Sequence, residues 1–249
     1  MDALSVFLRW AHIIAGILWI GHLYFFNFVN AQIGTLLDGE TKKKLVPQML
    51  PRALYWFRWG AAWTWITGLL LLMLVFYHGG LMFEQGGWTT AAIVMVVLTF
   101  LVFKLYDVLA KVAGKNGMIF AVIGFVLIAA MYFLMVEWGG FSYRAVNIHI
   151  GAMFGTIMAA NVWMIIWPAQ KKIVAAVRDG ETPDAGLAAK AGQRSRHNTY
   201  LSVPLIYTMI NAHTVVPGAS SMFYLFGVII LGWAVTAWLY KKAGTLKGF

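Results

Sequence analysis

Seven stretches of this chain, at 3–28, 56–78, 88–110, 117–137, 142–167, 199–216 and 219–240, are dominated by apolar residues. A helix of about 20 such residues crosses the hydrocarbon core of a bilayer. In lipid every backbone amide and carbonyl must be satisfied within its own segment, so these runs are expected to fold as helices. The fold class that follows is all-α: a polytopic integral membrane helix bundle of about seven transmembrane helices, one membrane domain over 1–249. A content of 61% hydrophobic and 11% charged residues excludes an ordinary soluble chain. The first run starts almost at Met1 and lacks a small-residue cleavage site, so it reads as a retained helix and not as a signal peptide. The sixth is short and contains Pro204, which predicts a kink.

The connections alternate in charge. Lys42, Lys43, Lys44 and Arg52 follow the first run, and Lys104, Lys111 and Lys115 surround the turn after the third. Lys171, Lys172, Arg178, Lys190, Arg194 and Arg196 follow the fifth, and Lys241, Lys242 and Lys247 follow the last. The intervening connections carry little beyond Glu84, Glu137 and Arg144. Basic loops stay on the cytoplasmic side, which puts the N-terminus outside and the C-terminus inside. The net charge of +10 is therefore a topological signal, and no nucleic-acid partner is expected. Residues 31–55, with Pro47 and Pro51, read as an amphipathic segment on the inner surface. Residues 169–198, broken by Gly180, Pro183 and Gly186, read as an exposed cytoplasmic loop. The absence of cysteine rules out a disulfide, a thiolate metal site and a covalently attached c-type haem within these residues.

Polar groups at membrane depth are costly and mark functional candidates. From helix rise, His12 lies about 13 Å and His149 about 11 Å below the outer face, with His213 about 5–8 Å below it. A b-type haem needs one or two imidazoles at matching depth on different helices, each with its other ring nitrogen hydrogen-bonded. His12, His149 and His213 are the candidate iron ligands, while packing or water-bridged roles are the structural alternative. His22 stands about 15 Å further along the first helix, a position suited to a second, inner haem. Arg9 and Arg144 are candidates for pairing with haem propionates, or else snorkel to the surface. Asp107 is the acidic residue nearest to membrane depth, read as a helix-end anchor or a proton acceptor. Gly16, Gly21, Gly151 and Gly155 permit close approach of a helix or a macrocycle.

Several motifs carry a resemblance. The first helix reads Arg9-Trp10-Ala11-His12 with Gly16, Trp19 and Gly21, and the fifth reads Gly151-Ala152-Met153-Phe154-Gly155 through Asn161. Pro168-Ala169-Gln170-Lys171-Lys172 follows, then Arg194-Ser195-Arg196-His197-Asn198-Thr199-Tyr200-Leu201-Ser202-Val203-Pro204 and Asn211-Ala212-His213. Together these resemble the membrane domain of bacterial urate hydroxylases, the urate oxidase N-terminal family. The resemblance implies a multi-pass protein of the bacterial inner membrane that oxidises its substrate and passes electrons to a c-type cytochrome. Full-length members carry that cytochrome as a C-terminal domain; here a separate polypeptide is expected to supply it.

Three functions are compatible with these readings. The first is a haem b-binding redox subunit, relaying electrons from a quinol or a dehydrogenase partner to a separate c-type cytochrome or respiratory complex. The second is a urate hydroxylase-like oxidoreductase, with Arg196, His197, Asn198 and Thr199 as candidates for binding the organic anion. The third is a cofactor-free anchor that organises respiratory-complex subunits among membrane lipids. If His12 ligates a haem, His12→Ala should abolish its low-spin spectrum or convert it to high spin. An unchanged spectrum and haem stoichiometry would remove His12 from the ligand set.

Overall fold

The computed structural model describes residues 2–213 and 221–246, and over these the chain is helical, with no strand. The first two apolar runs appear as α1 (Asp2–Tyr24), continuing through a π-helical turn (Phe25–Asn30) into α2 (Ala31–Leu36), and as the second half of α3 (Gly39–Leu71) with its π turn (Leu72–Tyr77). The third and fourth are α4 (Thr90–Val112) and α5 (Gly117–Phe133), the latter ending in a π turn (Leu134–Trp138). The fifth is α6 (Tyr143–Ala160), a π turn (Asn161–Ile166) and α7 (Trp167–Asp179). Then come α8 (Ala185–Asn211) and α9 (Met222–Ala243). Among the described residues, six continuous helical stretches are long and apolar enough to cross a membrane: Ala3–Leu36, Gly39–Tyr77, Thr90–Val112, Gly117–Trp138, Tyr143–Asp179 and Met222–Ala243. The chain is thus an all-α membrane bundle. The sixth predicted span lies in α8, and its positions 214–216 fall outside the described residues.

Local sequence explains where the helices begin. Asp38 accepts from the Thr41 amide (2.9 Å), Thr89 from Ala92 (3.1 Å), Asn116 from Met118 and Ile119 (both 3.1 Å), and Asp184 from Gly186 (2.7 Å). Each satisfies first-turn donors that have no partner within the helix. Gly180, at φ 78°, ends α7 in the left-handed conformation that favours glycine.

Two expectations change. The segment 169–198, read as a loop, is helical apart from 180–184. Lys171, Lys172, Arg178, Lys190 and Arg196 sit on exposed faces while Ala169, Ala191 and Arg194 are buried, so most of the polarity that suggested a loop is that of amphipathic helices. In the segment 31–55, α3 runs through both Pro47 and Pro51 without a break and continues into the second span.

The chain forms two compact units. One comprises the described parts of 1–5, 68–157 and 202–232. Its core includes Phe76, Met82, Met95, Met135, Ile150, Phe154, Leu225 and Ile229. Ser142 ties the start of α6 to the preceding connection, its hydroxyl donating to the Leu81 carbonyl (2.8 Å) and its amide to that of Met82 (2.7 Å). Gly151 lies against Thr208 and Met209 of α8, as the small-residue pattern predicted, whereas Gly155 has open space around it.

The second unit comprises 6–67, 158–201 and the described part of 233–249. Its core holds Trp19, Leu23, Phe57, Ala61, Met158 and Val162. The tight helix contact here is made by Gly60, where a Cβ would stand 2.9 Å from the Trp19 amide nitrogen. Gly16 and Gly21 make no such approach. Backbone cannot yield as a flexible side chain does, so Gly60→Ala should lower stability by about 1–3 kcal/mol in detergent unfolding. Gly21→Ala, with nothing within 4 Å, should be neutral or stabilising; equal effects of the two would refute the close packing.

Candidate functional site

In the first unit, His149 on α6 is fully buried. Its Nδ1–H donates to the Ala145 carbonyl one turn back (2.7 Å), and its Nε2 accepts from the Tyr77 hydroxyl (3.0 Å). Phe141 covers the imidazole, with ring centres 4.9 Å apart, and Trp88 meets Tyr77 edge-on at 5.5 Å. A second polar group in this unit ties α8 to α6. Asn211 donates to the Tyr143 hydroxyl and to Asn147 Oδ1 (3.2 Å), and Asn147 donates to the Tyr143 carbonyl (2.9 Å). Arg144 donates through Nε to the Ala212 carbonyl (2.8 Å) at the end of α8, a helix-capping role. His213 stands exposed in the turn just beyond, and His78 is exposed as well.

In the second unit, His12 contacts Thr67 Oγ1 (3.1 Å), and the Thr67 hydroxyl itself donates to the Trp63 carbonyl (2.6 Å). The hydroxyl proton is committed, so the shared proton with His12 is that of Nδ1–H. His22 has the same character: its Nδ1–H donates to the Leu18 carbonyl (2.6 Å). Arg9 is exposed. His12, His22 and His149 thus each have one nitrogen anchored as a donor, which leaves Nε2 as the lone-pair nitrogen. A histidine that held a haem iron through Nε2 would need this tautomer. For His149 the iron would have to replace Tyr77 at Nε2. Among the described residues no group of three or more His, Cys, Asp or Glu is placed to hold a metal ion. Asp107 pairs with Lys111 (2.6 Å) one turn along α4, the helix-end role.

The densest polar cluster of the second unit lies on α8. Arg194 is 1% exposed, and Asn198 and Thr199 are fully buried. Extending the helix back to Ala185 puts Ala191, Arg194 and Asn198 on one inward face at three- and four-residue spacing. Asn198 donates to the Met158 carbonyl (3.0 Å) and accepts from Asn161 (2.8 Å), itself fully buried at the start of a π turn. Thr199 donates to the Ser195 carbonyl (3.1 Å). Ser195 accepts from Asn27 (2.8 Å), whose other hydrogen goes to the Leu23 carbonyl (2.9 Å) and whose Oδ1 accepts from the Tyr240 hydroxyl (2.8 Å). Arg196 is exposed, with its guanidinium 5.5 Å from the Tyr240 ring. His197 precedes the apolar stretch and is partly buried. Burial first, then repulsion by Arg194 and Arg196, pushes its imidazole down to about 4.

Of the four predicted anion-binding residues, Asn198 and Thr199 are thus fully buried, His197 is partly buried and Arg196 is exposed, while Arg194, Asn161, Asn27 and Tyr240 join the polar cluster around them. Sequence reading passed over Arg194 because a loop assignment hides helical periodicity. The cluster brings a guanidinium, an imidazole, amides and a hydroxyl together in an otherwise apolar unit.

The family model described as Urate oxidase N-terminal matches residues 34–246. The chain belongs to the urate oxidase N-terminal family. No curated protein and no solved structure matches it. The family match covers α8 with Arg194, Asn198 and Thr199, and also His149, whereas Arg9, His12, His22 and Asn27 precede it. The assignment makes this a urate-related membrane protein of that family.

The depressed His197 pKa has a sign that can be tested. Its folded value of about 4 lies below the ordinary value near 6.5, so between them the unfolded chain binds more protons. The stabilisation associated with the neutral imidazole is complete above about pH 6.5 and is lost as pH falls towards 4. Thermal unfolding of the wild type should lose stability more steeply through that window than His197→Gln. Parallel pH profiles would show that the imidazole is solvated and ordinary.

Proposed function

We propose that this chain is the membrane component of an oxidoreductase of the urate-hydroxylating type, binding an organic anion at the α8 cluster. The observation that carries this reading is the buried Arg194, with Asn198, Thr199 and Asn161 at 0–1% exposure, within the family-matched part of an otherwise apolar protein. Polar groups of this density are not kept inside a membrane helix bundle without use.

Arg194 fixes the anion's charge, and Asn198 and Thr199 orient its ring. His197, neutral at physiological pH, accepts a proton from the attacking water, and bound anion offsets the two neighbouring guanidinium charges and makes the imidazole more basic. Oxygen from water adds to the substrate, while an electron pair and protons leave. Haem b, when bound, would supply one-electron acceptance; His149 in the first unit, and His12 and His22 in the second, are each candidates to hold such a group through Nε2. The external acceptor is a c-type cytochrome, and the setting is the bacterial inner membrane.

A second reading is the haem b relay with no urate chemistry, fed by quinol. The anchored Nδ1 of three histidines favours it, since that arrangement serves electron transfer whatever the donor. Anaerobic addition of urate to the purified protein separates the two. The enzyme reading expects urate to reduce a b-type haem, and Arg194→Gln to raise the urate concentration required by about 10- to 100-fold, the value of a charge-assisted hydrogen bond. A haem that quinol reduces and urate does not would leave only the relay.

A further inference from the structure

Arg58 stands on α3 near the start of its apolar stretch, in the second unit. Its guanidinium carbon lies 3.9 Å from the centre of the Trp167 ring, with Tyr55 at 5.7 Å and Trp163 at 5.9 Å. The walls of this box are fixed: the Trp163 indole donates to the carbonyl of Arg58 itself (3.0 Å), and Trp59 packs edge-on against Trp163 at 5.4 Å. Lys171 approaches the same Trp167 ring, its ammonium 5.8 Å from the centre.

Two cations therefore share one indole, and among the described residues no carboxylate answers either. The ion pairs there are Lys111–Asp107 and Arg178–Asp179. The Nε of Arg58 is buried and donates to nothing. Aromatic faces hold a guanidinium by its flat side and leave its in-plane N–H fork, whose geometry matches the paired oxygens of a phosphate. Beside the box the same helix presents Tyr55, Trp56 and Trp59, exposed by 47%, 51% and 38%, the kind of aromatic surface that sits at headgroup level. A ligand suited to both features has an anionic phosphate head and an apolar body.

We propose that this box is a binding site for an anionic phospholipid, the phosphodiester lying against Arg58 and Lys171 and the acyl chains along the exposed aromatics of α3. A zwitterionic lipid offers the same oxygens but brings its own ammonium, which two uncompensated cations disfavour. A soluble phosphate gains nothing from the aromatic surface.

The test is a lipid competition. The whole protein, exchanged into phosphatidylcholine nanodiscs, is offered vesicles of equal phosphatidylglycerol and phosphatidylcholine, and the retained lipid is counted by native mass spectrometry. Phosphatidylglycerol should be enriched by about fivefold for each cation that contributes. Lys171→Gln, which changes an exposed side chain, should lose one such factor, and Arg58→Gln should bring retention close to parity. Arg58→Lys, keeping the charge without the fork, should fall between wild type and Arg58→Gln and guards against a folding defect in the latter. Removing two other cations by Lys241→Gln with Lys242→Gln should leave the enrichment intact. Parity in the wild type, an equal loss in the Lys241/Lys242 variant, or full displacement by glycerol 3-phosphate would each overturn the proposal: the first denies selectivity, the second makes it diffuse surface charge, the third makes the ligand a soluble anion.

Discussion

A polar side chain inside a membrane bundle must find a partner without water, and in this protein the first partner is repeatedly the carbonyl one turn back on the same helix. Thr64 bonds Gly60 (2.7 Å), Thr67 bonds Trp63 (2.6 Å) and Thr99 bonds Met95 (2.9 Å). Asn27, Asn147, His22, His149 and Thr199 do the same with Leu23, Tyr143, Leu18, Ala145 and Ser195. This bond satisfies one donor and fixes the rotamer. What is left over then points to another helix in a set direction: the second hydrogen of Asn27 to Ser195, the Thr67 oxygen to His12, the Nε2 of His149 to Tyr77. The sites are built from these second bonds, and their geometry is inherited from the first.

That division explains what could be read in the sequence. The spans follow from apolar length, and the caps Asp38, Thr89, Asn116 and Asp184 sit where residue type and position predict a helix start. His12 and His149 were legible because an imidazole in an apolar run is rare and conspicuous. Their partners were not, since Thr67 and Tyr77 are unremarkable residues whose role depends on which helix lies opposite. Gly60 escaped for a related reason. It belongs to no small-residue repeat with a second glycine, and only the approach of Trp19 reveals its use.

The π turns hid a further set of residues. Asn27, Tyr77 and Asn161 each lie in one, and each makes its cross-helix bond from there. An inserted residue shifts the phase of the helix, so projecting a regular 3.6-residue period past it puts side chains on the wrong face. Asn161 projected from α6 and Asn161 as it stands against Asn198 are therefore different predictions from the same sequence.

The arginines show how burial changes what a charge is for. Arg178 is exposed and pairs with its neighbour Asp179, an arrangement worth little in water. Arg58 is half-buried and held by ring faces, which attract the cation but cannot accept its in-plane hydrogens. Arg194 is buried, and the low pKa of His197 registers its field together with that of Arg196. The same guanidinium thus has different partners according to its burial. Net charge counts all of them alike, so the +10 of this sequence says little about which of them is buried.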